Sequence, residues 1–261
     1  MNTNTVELRD TVTGDGPPIV VLHGLYGAGS NWGSHAKWLA EQWRVHTPDL
    51  RNHGQSPHSA HMSYDAMAAD VVALLDHYGY NDAVILGHSM GGKVGMALAL
   101  TKPERVRGLV VADIAPMPYD HDLSHTIEAM AGVDLSSVGS RRDADAQLAA
   151  HVSEPALRQF LLTNLGRSGD GWQWRIPLDH LAANLAVIQG FPHLDTSWHG
   201  PTLALYGDRS GYASDAGSHE RLRNHFPNAE IEPIEGAGHF LHVEAAERFR
   251  ERLDDWLRRL P

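Results

Sequence analysis

The strongest constraint in this chain is a tight turn set inside a strand–helix alternation. Gly87-His88-Ser89-Met90-Gly91 follows the apolar run 83–86 and opens a helical pattern that runs to Thr101, before Pro103. Glycines two residues either side of a serine permit a bend too sharp for side chains at those positions. Such a bend holds the serine in a strained backbone conformation and lifts its hydroxyl clear of a sheet edge, at a helix N-terminus that favours negative charge. The motif is short, so its context gives it meaning. Apolar runs at 19–22, 44–47, 83–86, 109–112 and 202–206 each end at a turn residue, and 230–233 reads as an edge strand carrying Pro233. Continuous rather than alternating apolar character predicts strands buried on both faces, that is, a mostly parallel sheet with helices on both sides.

Helical spacing is expected over 31–43, over 63–78 with Ser63 as cap, over 219–226, and over 243–260 with Phe249, Leu253, Trp256 and Leu257 inward. Residues 116–200 break the rhythm. They show helical patterns near 121–131, 142–151, 155–165 and 179–188 and no clear strand, so a helical cap insertion is expected, with 1–115 and 201–261 forming the core.

A serine nucleophile needs a base and donors for the developing oxyanion. Gly236-Ala237-Gly238-His239 is a small-residue loop between the last strand and the last helix, and it selects His239 from 18 histidines. His242 reads as a packing or surface residue. The loop His23-Gly24-Leu25-Tyr26-Gly27 after the first clear strand offers the Leu25 N–H, and the residue after the serine offers the Met90 N–H. The acid that orients the imidazole is open between two positions. Asp113 ends the strand 109–112, and Asp208 follows the strand 202–206.

These motifs resemble the α/β-hydrolase superfamily over nearly the whole chain. More narrowly, the chain looks like the small YbfF-type esterases and their mitochondrial relatives. The likeness is carried by Asp49-Leu50-Arg51-Asn52-His53-Gly54-Gln55-Ser56-Pro57-His58, Gly87-His88-Ser89-Met90-Gly91-Gly92-Lys93, Asp113-Ile114-Ala115-Pro116 and Gly236-Ala237-Gly238-His239. The resemblance implies a catalytic triad of Ser89, His239 and Asp113. In many superfamily members an Asp stands three residues past the glycine of the later strand, where this chain has Ser210; in the YbfF-type group that acid is missing. Asp208, one residue past Gly207, departs from the group and remains the alternative acid. Asp49, Arg51, Asn52 and His53 are expected to make structural hydrogen bonds. Lys93 is expected to be a solvated or locally paired lysine. Trp172, Trp174, Leu181 and Phe191 read as helix-packing residues, one or two of the aromatics lining a pocket.

The expected activity is a cofactor-free and metal-free serine carboxylic-ester hydrolase for small, uncharged or weakly charged esters of short-to-medium acyl chains. Acyl-CoA thioester, carbon–carbon, amide and perhydrolysis chemistry use the same machinery, and a ligand-binding receptor retaining the triad is the non-enzymatic alternative. Ser89 argues against dehalogenase and epoxide-hydrolase chemistry, which need Asp there. His121 and His125 share a possible helix face without a further metal-ligand pattern. With 21 Lys and Arg against 32 Asp and Glu, the net charge of −11 speaks against nucleic acid and anionic membranes as partners. Residues 116–200 carry five Arg and no Lys against ten acidic residues, a poor setting for the phosphates of coenzyme A. No signal-like segment and no bilayer-spanning run is present, so a cytoplasmic location is the default expectation. The absence of cysteine excludes disulfides, thiolate metal sites and a Cys nucleophile and says nothing of the redox compartment.

Overall fold

In the computed structural model, which describes residues 5–120, 123–169 and 171–260, the chain alternates strands and helices. It runs β1 (Val12–Thr13), β2 (Pro18–Leu22), a 3₁₀ turn at Gly29–Trp32, α1 (Gly33–Leu39), β3 (Arg44–His46), α2 (Tyr64–His77), β4 (Ala83–His88), α3 (Met90–Thr101) and β5 (Val106–Ala112). Next come α4 (Ser124–Ala131), α5 (Arg141–Leu148), α6 (Pro155–Leu162), β6 (Leu165–Ser168), β7 (Gly171–Trp174), α7 (Leu178–Ala183) and α8 (Leu185–Gln189). The chain closes with β8 (Thr202–Gly207), α9 (Ala216–His225), β9 (Ala229–Ile234), α10 (Leu241–Glu244) and α11 (Ala246–Leu257).

One seven-stranded sheet has the order β1-β3-β2-β4-β5-β8-β9. Every pairing in it is parallel except that of β1 with β3. The period-two alternation of strands divides its core between two faces. Val20, Leu22, Ile85, Leu109 and Val111 pack on one side with α2 and α3. Ile19, Val21, Val84, Leu86 and Val110 pack on the other, against α1 and α11 through Trp32, Leu39, Phe249 and Leu253. The chain steps from β2 outward to β3, returns to β4, and then builds in the opposite direction. The C-terminal end of β4 therefore lies at the switch point, where open α/β sheets present their crevice.

Several boundaries differ from the sequence expectation. The helix expected to reach residue 43 ends at Leu39, because Arg44 enters β3 directly alongside Pro18. The final helix is broken at Ala245 (φ −134°, ψ 51°). α9 begins three residues earlier than expected, where Asp215 accepts the N–H groups of Gly217 and Ser218. Ser63 does cap α2, accepting the Ala66 N–H, and β9, with Pro233, is an edge strand, as expected.

The region 116–200 holds five short helices and, against expectation, a strand pair. Leu165 pairs with Trp174 and Ser168 with Gly171. The hairpin turns through Gly169 (φ +58°), the left-handed conformation that glycine accepts without strain. Trp172 and Trp174 therefore stand on a strand, not a helix; Trp174 Nε1 donates to the Met130 carbonyl at 2.9 Å. His121 lies outside the described residues, while His125 Nε2 contacts the His151 carbonyl at 2.7 Å. Among the described residues no helix is long and apolar enough to cross a membrane.

The loop 49–58 is held by the expected hydrogen bonds. Arg51 makes a two-pronged contact with Asp70 at 2.7 and 2.8 Å, both side chains fully buried. Asp49 accepts from the N–H groups of Gly29 and Gln55, each at 2.8 Å. Asn52 exchanges two bonds with Ser59, at 2.7 and 2.9 Å. Removing one member of a buried ion pair leaves the other uncompensated. Asp70→Ala should therefore cost about 3–5 kcal/mol in urea unfolding. A loss below about 1 kcal/mol, the surface-pair range, would show that Arg51 finds other compensation.

Candidate active site

Ser89 sits between β4 and α3 with φ 52° and ψ −118°, a strained backbone for a residue with a side chain. The flanking glycines are required sterically. A Cβ on Gly87 would lie 2.2 Å from the Gly91 carbonyl oxygen, and one on Gly91 would lie 2.4 Å from the Leu22 oxygen. Met90 is the first residue of α3, where the helix supplies no acceptor for its N–H.

Asp113 follows β5 at φ 53° and is fully buried. Its Oδ1 accepts the Gly207 N–H at 2.9 Å. Its Oδ2 accepts the Ser210 hydroxyl and pairs with His239 Nδ1 at 2.7 Å. Ser210, at the position where many superfamily members carry an acid, is thus a donor to the acid supplied by another strand. Asp208 is exposed and accepts the Gly236 N–H at 2.8 Å. It fixes the loop that carries His239, while Asp113 holds the ring itself.

Two further rings set the imidazole. Tyr212 stacks on His239 with centroids 3.9 Å apart and planes at 22°. His88, the residue before the serine, has Nε2 2.8 Å from the His239 carbonyl oxygen. His242 proves to be a packing residue, buried and stacked on Trp32 at 4.3 Å.

The turn at 23–27 is tied to the loop 49–58 through two buried imidazoles. His23 Nε2 accepts the Leu50 N–H at 2.9 Å, and its Nδ1 meets the Gly24 carbonyl at 2.8 Å. His53 Nε2 accepts the Tyr26 N–H at 3.2 Å, and its Nδ1 meets the Arg51 carbonyl at 2.9 Å. These bonds require each ring to be donor on one side and acceptor on the other, which only neutral imidazole provides. Burial agrees, pulling the His23 pKa down to about 4 and that of His53 to about 3. Leu25 is held between these anchors.

Ser89, His239, Leu25 and Met90 line one cavity of about 410 Å³. Its walls include Tyr119, Leu157 and Phe160 from the 116–200 region. Trp172, Trp174, Leu181 and Phe191 are not among the lining residues; the pocket aromatics of that region are Tyr119 and Phe160. Phe160 meets Phe240 edge-on at 5.4 Å, joining α6 to the residue after His239. Short amphipathic helices with several aromatics give no sequence signal for which ring turns inward.

Lys93 also departs from expectation. It is buried, its Nζ donating to the carbonyls of Gln189 at 2.8 Å and Gly190 at 2.6 Å, more than ninety residues away. Among the described residues, no three His, Asp or Glu side chains come together in a way that would hold a metal ion.

A family model described as alpha/beta hydrolase fold matches residues 17–246. The chain is 42% identical over 250 residues to a Mus musculus protein named "sn-1-specific diacylglycerol lipase ABHD11", covering 92% of this chain and 81% of that one. It is 37% identical over 230 residues to "Esterase YbfF" of Escherichia coli (strain K12), covering 87% of each. A solved structure titled "Marine microorganism esterase" superposes with a TM-score of 0.93 at 35% identity, covering 97% of this chain and all of that one.

The buried histidines predict how stability depends on pH. The pKa values of His23, His35, His53, His88 and His242 are all lowered, chiefly by burial. Their unfolded counterparts take up protons near pH 6.5, whereas the folded rings of His23, His53 and His242 do so only near 4, 3 and 3. Stability should therefore fall as pH drops below about 6.5, continuing to fall until the folded rings themselves protonate. Urea unfolding at pH 7.5, 6.5, 5.5 and 4.5 checks this, and a flat profile would contradict the neutral-imidazole frame.

Proposed function

The chain belongs to the α/β-hydrolase family, and on that premise we propose that it hydrolyses carboxylic esters through an acyl-enzyme formed on Ser89. The observation that carries this reading is the 2.7 Å contact of buried Asp113 with His239 Nδ1, in a ring that lines one cavity with Ser89. An Asp so placed fixes the imidazole with Nε2 unprotonated and stabilises the imidazolium when it forms. His239 takes the Ser89 proton as Oγ attacks the acyl carbonyl. The N–H groups of Leu25 and Met90 receive the oxyanion. Collapse of the tetrahedral intermediate expels the alcohol, which leaves with the proton from His239. A water, deprotonated by the same ring, then releases the acid.

The likeness to proteins named esterase and lipase supports an ester substrate. The cavity volume favours short-to-medium acyl chains. In this reading residues 116–200 form the cap, with Tyr119, Leu157 and Phe160 as its contribution to the pocket. Two of the five arginines of this region are engaged within the protein, which weakens the case for a coenzyme A phosphate site. Arg141 holds the carbonyls of Leu162 and Leu165 at 2.6 and 2.8 Å, and Arg158 pairs with Asp145 at 2.9 Å.

Ser89→Ala should abolish turnover of p-nitrophenyl butyrate and labelling by a fluorophosphonate probe, a loss of roughly 10⁴-fold or more. Asp113→Asn should cost far more than Asp208→Asn, because only Asp113 meets the ring; the reverse order would overturn the assignment of the acid. In kcat/KM, butyrate ester should exceed both decanoate ester and butyryl-CoA. Phe160→Ala should raise decanoate turnover relative to acetate, and equal effects on both would remove Phe160 from the chain-length determinant.

A further inference from the structure

Lys93 is a buried amine in the wall of the cavity that Ser89 lines. It lies in the first turn of α3, four residues beyond Ser89, and its N–H bonds to the Ser89 carbonyl at 3.1 Å. Both line the same cavity. Nζ donates to the Gln189 and Gly190 carbonyls and stands 4.7 Å from the Tyr119 ring centroid and 5.7 Å from that of Tyr64. An ammonium has three donors, and the two carbonyls take two. Among the described residues no carboxylate pairs with it, and desolvation alone pulls its pKa down to about 7. The carbonyl dipoles and aromatic faces soften the cost of this charge but supply no countercharge.

We propose that Lys93 is a specificity-determining residue that receives a carboxylate on the substrate, so that the preferred esters are half-esters of dicarboxylic acids or esters of hydroxy acids. This rests on the reading of ester hydrolysis at Ser89 and narrows its substrate class. An entering carboxylate would give the buried ammonium the partner that the protein withholds, while the apolar cavity walls strengthen the pair. A neutral ester of the same length gains no such contact. A lysine serving only to bind the end of α8 would leave the two equal.

The experiment compares kcat/KM for monomethyl and dimethyl esters of succinate, glutarate, adipate and pimelate, the diesters corrected for their two scissile bonds. A second arm compares 4-acetoxybutanoate with pentyl acetate and tells which side of the scissile bond carries the acid. One charge-assisted hydrogen bond corresponds to a preference of roughly 10- to 100-fold for the acid-bearing ester, at a chain length that spans the distance to Nζ. In Lys93→Met the preference should collapse toward unity. Equal or faster turnover of the neutral esters by the unmodified protein, in both arms and at every length, overturns the proposal and leaves ester hydrolysis standing, whether or not the variant folds. Turnover of neither kind overturns both.

Discussion

The Asp113 carboxylate is the point on which the site depends. A carboxylate stripped of water and left unpaired in a protein interior costs several kcal/mol, so its position must be met by donors. Here the donors come from two different crossovers: the Gly207 N–H and Ser210 hydroxyl from the end of β8, and the imidazole of His239 from the loop after β9. The three C-terminal strand ends β5, β8 and β9 are adjacent in the sheet. One buried anion therefore joins neighbouring edges whose residues lie up to 126 positions apart in sequence. The left-handed backbone at Asp113 is sustained by these bonds, much as the strained backbone at Ser89 is sustained by the glycines around it.

Around this anion the protein uses uncharged imidazole as framework. His23 and His53 bridge the turn that presents Leu25 to the loop 49–58, each accepting an N–H on one nitrogen and facing a carbonyl with the other. A protonated ring would lose its acceptor and place a positive charge beside its neighbour, since the two ring centroids are only 5.1 Å apart. Neutral rings keep both bonds and add no charge beside the turn that presents Leu25. Lysine or arginine in those places could not accept the Leu50 and Tyr26 N–H groups and would bring charge beside the turn that presents Leu25.

How much of this was legible follows from what each signal depends on. Strands buried on both faces write themselves as continuous apolar runs, so β2, β4, β5 and β8 and the elbow at Ser89 could be read directly. The place of Asp113 at a strand end favours it over Asp208 without excluding the latter, and family likeness adds support to Asp113. The hairpin 165–174 gives no strand signal because its alternating residues are interrupted by glycines and flanked by helical patterns, and its turn runs through one left-handed glycine. The burial of Lys93 is silent in the sequence for a related reason. Its surroundings are set by Gln189 and Gly190, whose carbonyls reach it only after the chain has crossed the whole 116–200 region, and nothing local to α3 reports that.

Two aspartates near the end of the sheet illustrate how position, not residue type, sets a role. Asp208 is exposed one residue past β8, and its carboxylate meets the Gly236 N–H, stiffening the glycine-rich loop on which His239 rides. Two residues further along, Ser210 cannot serve as an acid but can donate, and it does so to the carboxylate that β5 provides. The loop after β8 thus meets the site as a donor toward the acid. Moving the acid to β5 places it at 0% exposure, between β4 and β8, where Ser89 and His239 enter from either side. The anion is then held by the middle of the sheet, and the outer loops supply the Ser210 hydroxyl and the His239 ring that meet it.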